Sequence, residues 1–291
     1  MKYLIIGGVA GGASTAARLR RLDEHATIVL LEKGAHISYA NCGLPYYIGD
    51  VITDRNKLFV QTATSFKERF NIDTRVNSEV TNIDTAAKTV TVKHLITQEI
   101  YKENYDKLVL SPGAEPIKPP FPGIQLPGIF TLRNVIDTDR IKAYAQKKQK
   151  GKAVIIGAGF IGLEMAENLH HIGMEVTIIE MSNQILAPVD YGIAAIAQQH
   201  IRTKGINLLL QTAVEGFEEN GNSLIIKIRD KKSIEADIVI LSIGVKPDTK
   251  LAVMAGLALG EGKGILVNEF LQTSDPAIYA VGDAITFKNP L

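Results

Sequence analysis

The chain contains one cysteine, Cys42, in the stretch SYANCGLPYYIG. A single thiol cannot close an internal disulfide and cannot supply the ligand set of a zinc or iron–sulfur site. It is therefore read as a reactive sulfur in a reducing compartment, and the expected location is cytoplasmic. One redox-active sulfur can complete a two-electron cycle if the substrate supplies the second sulfur, or if the thiol passes through a sulfenic acid. The six histidines lack the paired spacing of a metal site, and no metal is expected.

Two glycine-rich turns supply the other chemistry. Gly157, Gly159 and Gly162 stand at the GxGxxG positions of GAGFIG, between an apolar run Lys152–Ile156 and a helical pattern Leu163–His171. A following strand, Glu175–Ile179, closes on Glu180. This is the pattern of a dinucleotide site: a tight turn, a close backbone approach to pyrophosphate, and free N–H groups at a helix start. Glu180 at the strand end accepts from ribose hydroxyls and disfavours a 2′-phosphate, which predicts NADH as the cofactor and NADPH as the alternative. The first unit repeats the plan. Lys2–Ile6 runs into Gly7, Gly8, Gly11 and Gly12, a helical pattern covers Ala13–Leu22, and the strand Thr27–Leu31 closes on Glu32. Here the middle fingerprint position is Val9, so its backbone, relieved by the neighbouring glycines, is expected to approach the ligand.

The elements that position these residues are those of a packed α/β protein. The chain has 291 residues, is 46% hydrophobic and 22% charged, and is long enough for two domains. Lys plus Arg number 32 against 31 Asp plus Glu, so no basic field favours nucleic acid. The opening apolar run is too short to span a membrane. Between the two units the pattern predicts a helix over Phe59–Asn71, strands over Asp73–Asn82, Thr89–His94 and Tyr105–Leu110, and a proline-rich crossover after Ser111. Later strands are expected at Leu224–Arg229, Ile238–Ile243 and Ala277–Val281, and the run KKQK before Gly151 reads as a solvated helix end.

The blocks GGVAGGASTAARLRR, SYANCGLPYYIGDVI, YDKLVLSPGA, GAGFIGLE and TSDPAIYAVGDA occur in this order along the chain. In them the chain resembles the pyridine nucleotide–disulfide oxidoreductases, within their single-cysteine branch. The resemblance implies two Rossmann-like domains of the three-layer ββα type, with an NAD domain over 112–243 inserted in an FAD domain formed by 1–111 and 244–291. It implies that the first glycine turn (Gly7, Gly8, Val9, Ala10, Gly11, Gly12) binds FAD, that Glu32 with Lys33 holds its adenosine ribose, and that Asp283 beside Gly282 bonds the ribityl and diphosphate region. Ser111, Pro112, Gly113 and Gly244 line the same cofactors by resemblance.

Cys42 is then the redox centre beside the flavin, with Ser38 and Asn41 orienting sulfur and substrate and Arg21 contacting the phosphates of coenzyme A. Phe160, next to Ile161, covers the nicotinamide side of the flavin, and Glu164 is the acidic residue on that helix. The implied acceptor is a low-molecular-weight disulfide of coenzyme A type or a persulfide. Peroxide and oxygen reductases of this branch place a histidine where this chain has Ala10, which shifts weight toward a disulfide. An NADH peroxidase or oxidase, or a nucleotide-binding remnant without catalysis, stay open as other readings. Relatives extend past the GD motif into a domain that makes a homodimer and lends tyrosines to the partner's site. Partial nucleotide binding with weak or absent disulfide turnover is therefore expected of the present chain.

Overall fold

The computed structural model describes residues 1–148 and 150–287. By contact the chain divides into two compact units: one of Met1–Ala40, Phe59–Glu115 and 246–287, the other of Asn41–Leu58 and Pro116–Val245. The segment that contains Cys42 thus packs with the second unit, although residues 1–40 and 59–115 on either side of it in sequence belong to the first.

Each unit is built on a five-stranded parallel sheet. In the first the order is Ile278–Ala280, Lys107–Leu110, Lys2–Ile6, Thr27–Leu31, Asp73–Arg75. In the second it is Ile129–Phe130, Ile238–Leu241, Lys152–Ile156, Glu175–Ile179, Asn207–Leu209. Both sheets have the first strand of the βαβ unit at the centre and reverse their winding there, which leaves a crevice at its carboxyl end. A three-stranded antiparallel sheet accompanies each parallel sheet: Ser78–Asp84, Thr89–His94 and Ile100–Asn104 in the first unit, Val214–Asn220, Ser223–Ile228 and Ile234–Ala236 in the second. These are the three layers of a Rossmann-like ββα architecture.

The central strands read as unbroken apolar runs because both faces are covered. Leu4 and Ile6 pack with Val80, Val90 and Val92 of the antiparallel sheet. Ile5, between them, points the other way and packs with Ala13, Ala16 and Phe66 of the helical layer. The same arrangement holds Val154 and Ile156 against Phe217, Leu224 and Ile226 in the second unit.

One expectation needs correction. Asp73–Asn82 is not one strand: Asp73–Arg75 edges the parallel sheet, whereas Ser78–Asp84 begins the antiparallel one. The break falls at Asn77, which takes a left-handed φ of 51°, a conformation asparagine tolerates better than most residues. The helix expected over Phe59–Asn71 is shorter, Ala63–Phe70, capped by Thr62 in a reciprocal box with Ser65. Gln149 of the KKQK run lies outside the described residues; Lys147 closes a helix, Val135–Lys147. That helix starts on Asn134, whose side chain accepts from the Asp137 backbone N–H while Asp137 accepts in return. Asn134→Ala is expected to lower unfolding stability by about 1 kcal/mol, read from denaturant melts.

Candidate functional site

The central strand of each parallel sheet runs into a glycine that must be a glycine. Gly7 has φ of 96° and Gly157 of 100°, and a Cβ on either would collide with a backbone carbonyl, of Ser111 and of Ser242 respectively. Their N–H groups bond Leu31 O and Ile179 O, both at 2.8 Å, which ties each turn to the neighbouring strand. Helices Ala10–Leu22 and Phe160–His171 follow, and neither has a side-chain cap. The first N–H groups of both helices are thus left for an external acceptor.

The acidic strand-end residues are held alike in both units. Glu32 accepts from the N–H of Gly8 and of Gly34, each at 2.7 Å. Glu180 accepts from the N–H of Ala158 at 2.8 Å and of Ser182 at 2.7 Å. Each carboxylate oxygen is pinned by one bond and keeps a second lone pair, so a ribose diol can be met without rearrangement. At Gly159 a Cβ would meet nothing within 4 Å, so the turn leaves open space at the helix start. In the first unit Val9 occupies the position just before the corresponding helix and makes no side-chain hydrogen bond to it. These features fit one dinucleotide in each unit.

Of the remaining first-unit candidates, those near Ser111 and Gly282 gather around the same turn, and Arg21 does not. A Cβ on Gly11 would lie 2.6 Å from Ser111 Oγ and 3.1 Å from the Val281 side chain, so helix start, Ser111 and the turn Gly282–Ala284 converge. Asp283 is exposed on that turn. Pro112 and Gly113 continue from Ser111, and Gly113 O accepts from Asp248 N–H at 2.9 Å. Lys33 pairs with Glu115 at 3.4 Å. Ser38 takes a left-handed φ of 45°; its N–H bonds Gly8 O at 2.9 Å, and its own carbonyl accepts from Val60 at 2.8 Å. It is therefore fixed to the glycine turn. Arg21 lies exposed in the last turn of Ala10–Leu22, at the opposite end of the helix from Ala10.

Asn41 and Cys42 belong to the second unit and are exposed on a 3-10 turn, Asn41–Gly43, that leads into a short helix, Leu44–Ile48. Leu44, Pro45 and Ile48 are buried and seat this helix against Val135–Lys147 and Phe160–His171. Gly49 allows the approach, since a Cβ there would enter the buried Asn168 side chain. Arg55 grips Asp139 bidentately, with Nε to Oδ1 at 3.0 Å and Nη2 to Oδ2 at 2.8 Å, and Lys142 bonds Tyr47 O and Asp50. On the facing helix Phe160 is 65% exposed, Ile161 is partly exposed, and burial together with nearby Glu167 pushes the Glu164 carboxyl above its ordinary value.

The sequence reading overlooked Ser242, whose hydroxyl donates to Ile156 O and Gly157 O, both at 3.0 Å, bracing the second turn. A signal for it exists: Leu110-Ser111-Pro112-Gly113 recurs as Leu241-Ser242-Ile243-Gly244, with left-handed glycines at 73° and 112°. Among the described residues no group of three or more His, Cys, Asp or Glu is placed to hold a metal ion. Nor is any described helix long and apolar enough to cross a membrane.

The sequence profile of the pyridine nucleotide-disulphide oxidoreductases matches residues 1–290. The chain belongs to that family. Coenzyme A disulfide reductase of Staphylococcus haemolyticus is 35% identical over 285 residues, which are 98% of this chain and 63% of that protein. The crystal structure of reduced CoADR-RHD from Bacillus anthracis is 53% identical with a TM-score of 0.95, covering 98% of this chain and 51% of that one. An NAD-dependent persulfide reductase from A. fulgidus is 38% identical with a TM-score of 0.94, over 98% and 53% of the respective chains. The chain thus spans between about half and two thirds of the length of these relatives.

Proposed function

We propose that this chain is the nucleotide-binding part of a reductase that takes electrons from NADH, through FAD and Cys42, to a low-molecular-weight disulfide of coenzyme A type or to a persulfide. The observation that carries this reading is the pairing of two dinucleotide turns with one exposed cysteine in a chain that has no second thiol. A sole cysteine needs its second sulfur from outside, and relatives named for coenzyme A disulfide and for persulfide support that class of acceptor.

In this reading the first unit holds FAD and the second NADH. FAD, when bound, accepts a hydride from the nicotinamide and delivers an electron pair to sulfur. The residues of the chain do the rest. The uncapped starts of Ala10–Leu22 and Phe160–His171 take the pyrophosphates, while Glu32 and Glu180 take the adenosine riboses. Asp283 bonds the ribityl region, Ser38 and Asn41 orient the acceptor, and Arg21 meets the phosphates of coenzyme A. The Cys42 thiolate attacks the acceptor disulfide; a mixed disulfide forms and one thiol leaves. Two electrons and a proton then release the second thiol and restore the thiolate, so that NADH, H⁺ and one disulfide give NAD⁺ and two thiols.

Glu180 makes the cofactor choice testable. Glu180→Ala removes both the ribose acceptor and the charge that opposes a 2′-phosphate. NADH binding is expected to weaken by about tenfold while NADPH binding is retained or improves, as read by titration calorimetry. A variant with unchanged affinity for both would contradict the placement of NADH on the second unit. The reading as a whole is tested by reduction of coenzyme A disulfide in the presence of FAD and NADH, with Cys42→Ser as the comparison.

A further inference from the structure

Both acidic strand ends are strapped by the turn that follows the edge strand of their sheet. In the second unit that edge strand is Asn207–Leu209, and Glu180 N–H bonds Leu209 O at 2.9 Å. Two successive N–H groups return the contact, Gln211 to Ser182 O and Thr212 to Glu180 O, both at 3.0 Å. Ser182 N–H is one of the two donors that pin the Glu180 carboxylate, so the strap reaches that carboxylate through a single residue. The first unit repeats the device: Glu32 N–H bonds Arg75 O, Asn77 N–H bonds Gly34 O and Ser78 N–H bonds Glu32 O, all at 2.9 Å, while Gly34 N–H pins the Glu32 carboxylate. A left-handed residue makes the turn in both, Asn77 at φ of 51° and Gln211 at 49°. The residue after it carries a buried hydroxyl that donates back two residues, Ser78 to Val76 O at 3.0 Å and Thr212 to Leu210 O at 2.8 Å.

The two straps differ at one point. Asparagine tolerates the left-handed region, whereas glutamine is not among the residues that favour it. The second strap has an added clamp: Lys231 Nζ donates to Thr212 Oγ1 at 2.7 Å, while among the described residues no side chain donates to Ser78 Oγ. A hydroxyl that accepts from an ammonium has its own proton turned to its other partner, here Leu210 O, so the clamp and the turn bond support each other. We propose that Thr212, clamped by Lys231, is a positioning residue of the nucleotide site, holding Gln211 left-handed so that Ser182 and Glu180 stand where the carboxylate meets an adenosine ribose. The assignment rests on the reading of Glu180 as the ribose acceptor and adds the group that holds it in place. Neither Thr212 nor Lys231 touches the nucleotide in this assignment; their effect passes through Glu180.

The test compares two ligands by titration calorimetry: NAD⁺, which shares the adenosine half of NADH and is not consumed by reduction, and its analogue with a 2′-deoxyadenosine. The unaltered chain is expected to prefer NAD⁺ by about tenfold, the worth of a hydrogen bond to a carboxylate. Thr212→Val keeps the shape and removes the hydroxyl. It should weaken NAD⁺ by about fivefold and the analogue by less than about twofold, so that the preference falls to about two- or threefold. Thr212→Ser should restore the preference to within about twofold of the original. Lys231→Met, at an exposed position, should reduce it part of the way, and carries the test alone if Thr212→Val does not fold. The proposal is overturned if Thr212→Val weakens both ligands by one factor or neither, if Thr212→Ser fails to restore the preference, or if Lys231→Met keeps it whole. An unaltered chain that binds both ligands alike would overturn the placement of the ribose on Glu180, and the proposal with it; a preference lost in Glu180→Ala but kept in Thr212→Val would overturn the proposal alone.

Discussion

Cys42→Ser is expected to remove every covalent product with a disulfide substrate. Incubated with coenzyme A disulfide, the unaltered chain should gain one coenzyme A adduct by intact mass and release one equivalent of free thiol, since its only cysteine is exposed. The serine variant should gain none. A serine hydroxyl is scarcely ionised at neutral pH, so nucleophilic attack on a disulfide falls by at least about a thousandfold. NADH and FAD affinities should stay within about twofold, because both dinucleotide turns are built from other residues. Turnover of coenzyme A disulfide that survived Cys42→Ser would remove Cys42 from the electron path and leave a flavoprotein that reduces its acceptor directly.

The second large effect separates two glycines of one fingerprint. Gly157→Ala places a methyl group against the Ser242 carbonyl at a φ of 100°, where both the conformation and the space are wrong. The turn must shift or open, and a loss of about 3 kcal/mol or more in the stability of the second unit is expected from denaturant melts, with nucleotide binding lost as well. Gly159→Ala has the opposite profile. The added methyl meets nothing within 4 Å and the helix start is otherwise unchanged, so stability should stay within about 0.5 kcal/mol. That methyl does fill the space a pyrophosphate needs, so NADH affinity should fall by about tenfold or more. Equal affinities in Gly159→Ala and the unaltered chain would mean that the nucleotide does not approach this turn.

The strands read most directly from residue patterns include Thr89–His94, by its alternation, and the central strands covered on both faces. Lys2–Ile6, Thr27–Leu31, Lys152–Ile156 and Glu175–Ile179 have the bounds expected of them, because β-branched runs ending in glycine or glutamate leave little choice. Of two longer helices, one was read only at its KKQK end and the other not at all, for an equally physical reason. Val135–Lys147 buries Thr138 and Ala145 beside Val135 and Ile141, a weak apolar stripe. Tyr191–Thr203 buries Ala194 and Gln198 while exposing Tyr191, Ile193 and Ile196, so its large apolar residues mark the wrong face. The glycine turns and both glutamates were legible because close packing and left-handed φ restrict the residue types allowed. The seating of the Cys42 segment was not: residues 41–58 associate with a unit that resumes at 116, and no local pattern reports that association.

The central claim, that one chain couples a nicotinamide site to a flavin site, is tested most directly by anaerobic titration of the FAD-reconstituted protein with NADH under visible absorbance. Two assembled units predict retention of flavin through gel filtration and bleaching of its visible band by about one equivalent of NADH. A retained flavin that NADH leaves oxidised, while dithionite bleaches it, would contradict the coupling of the two sites.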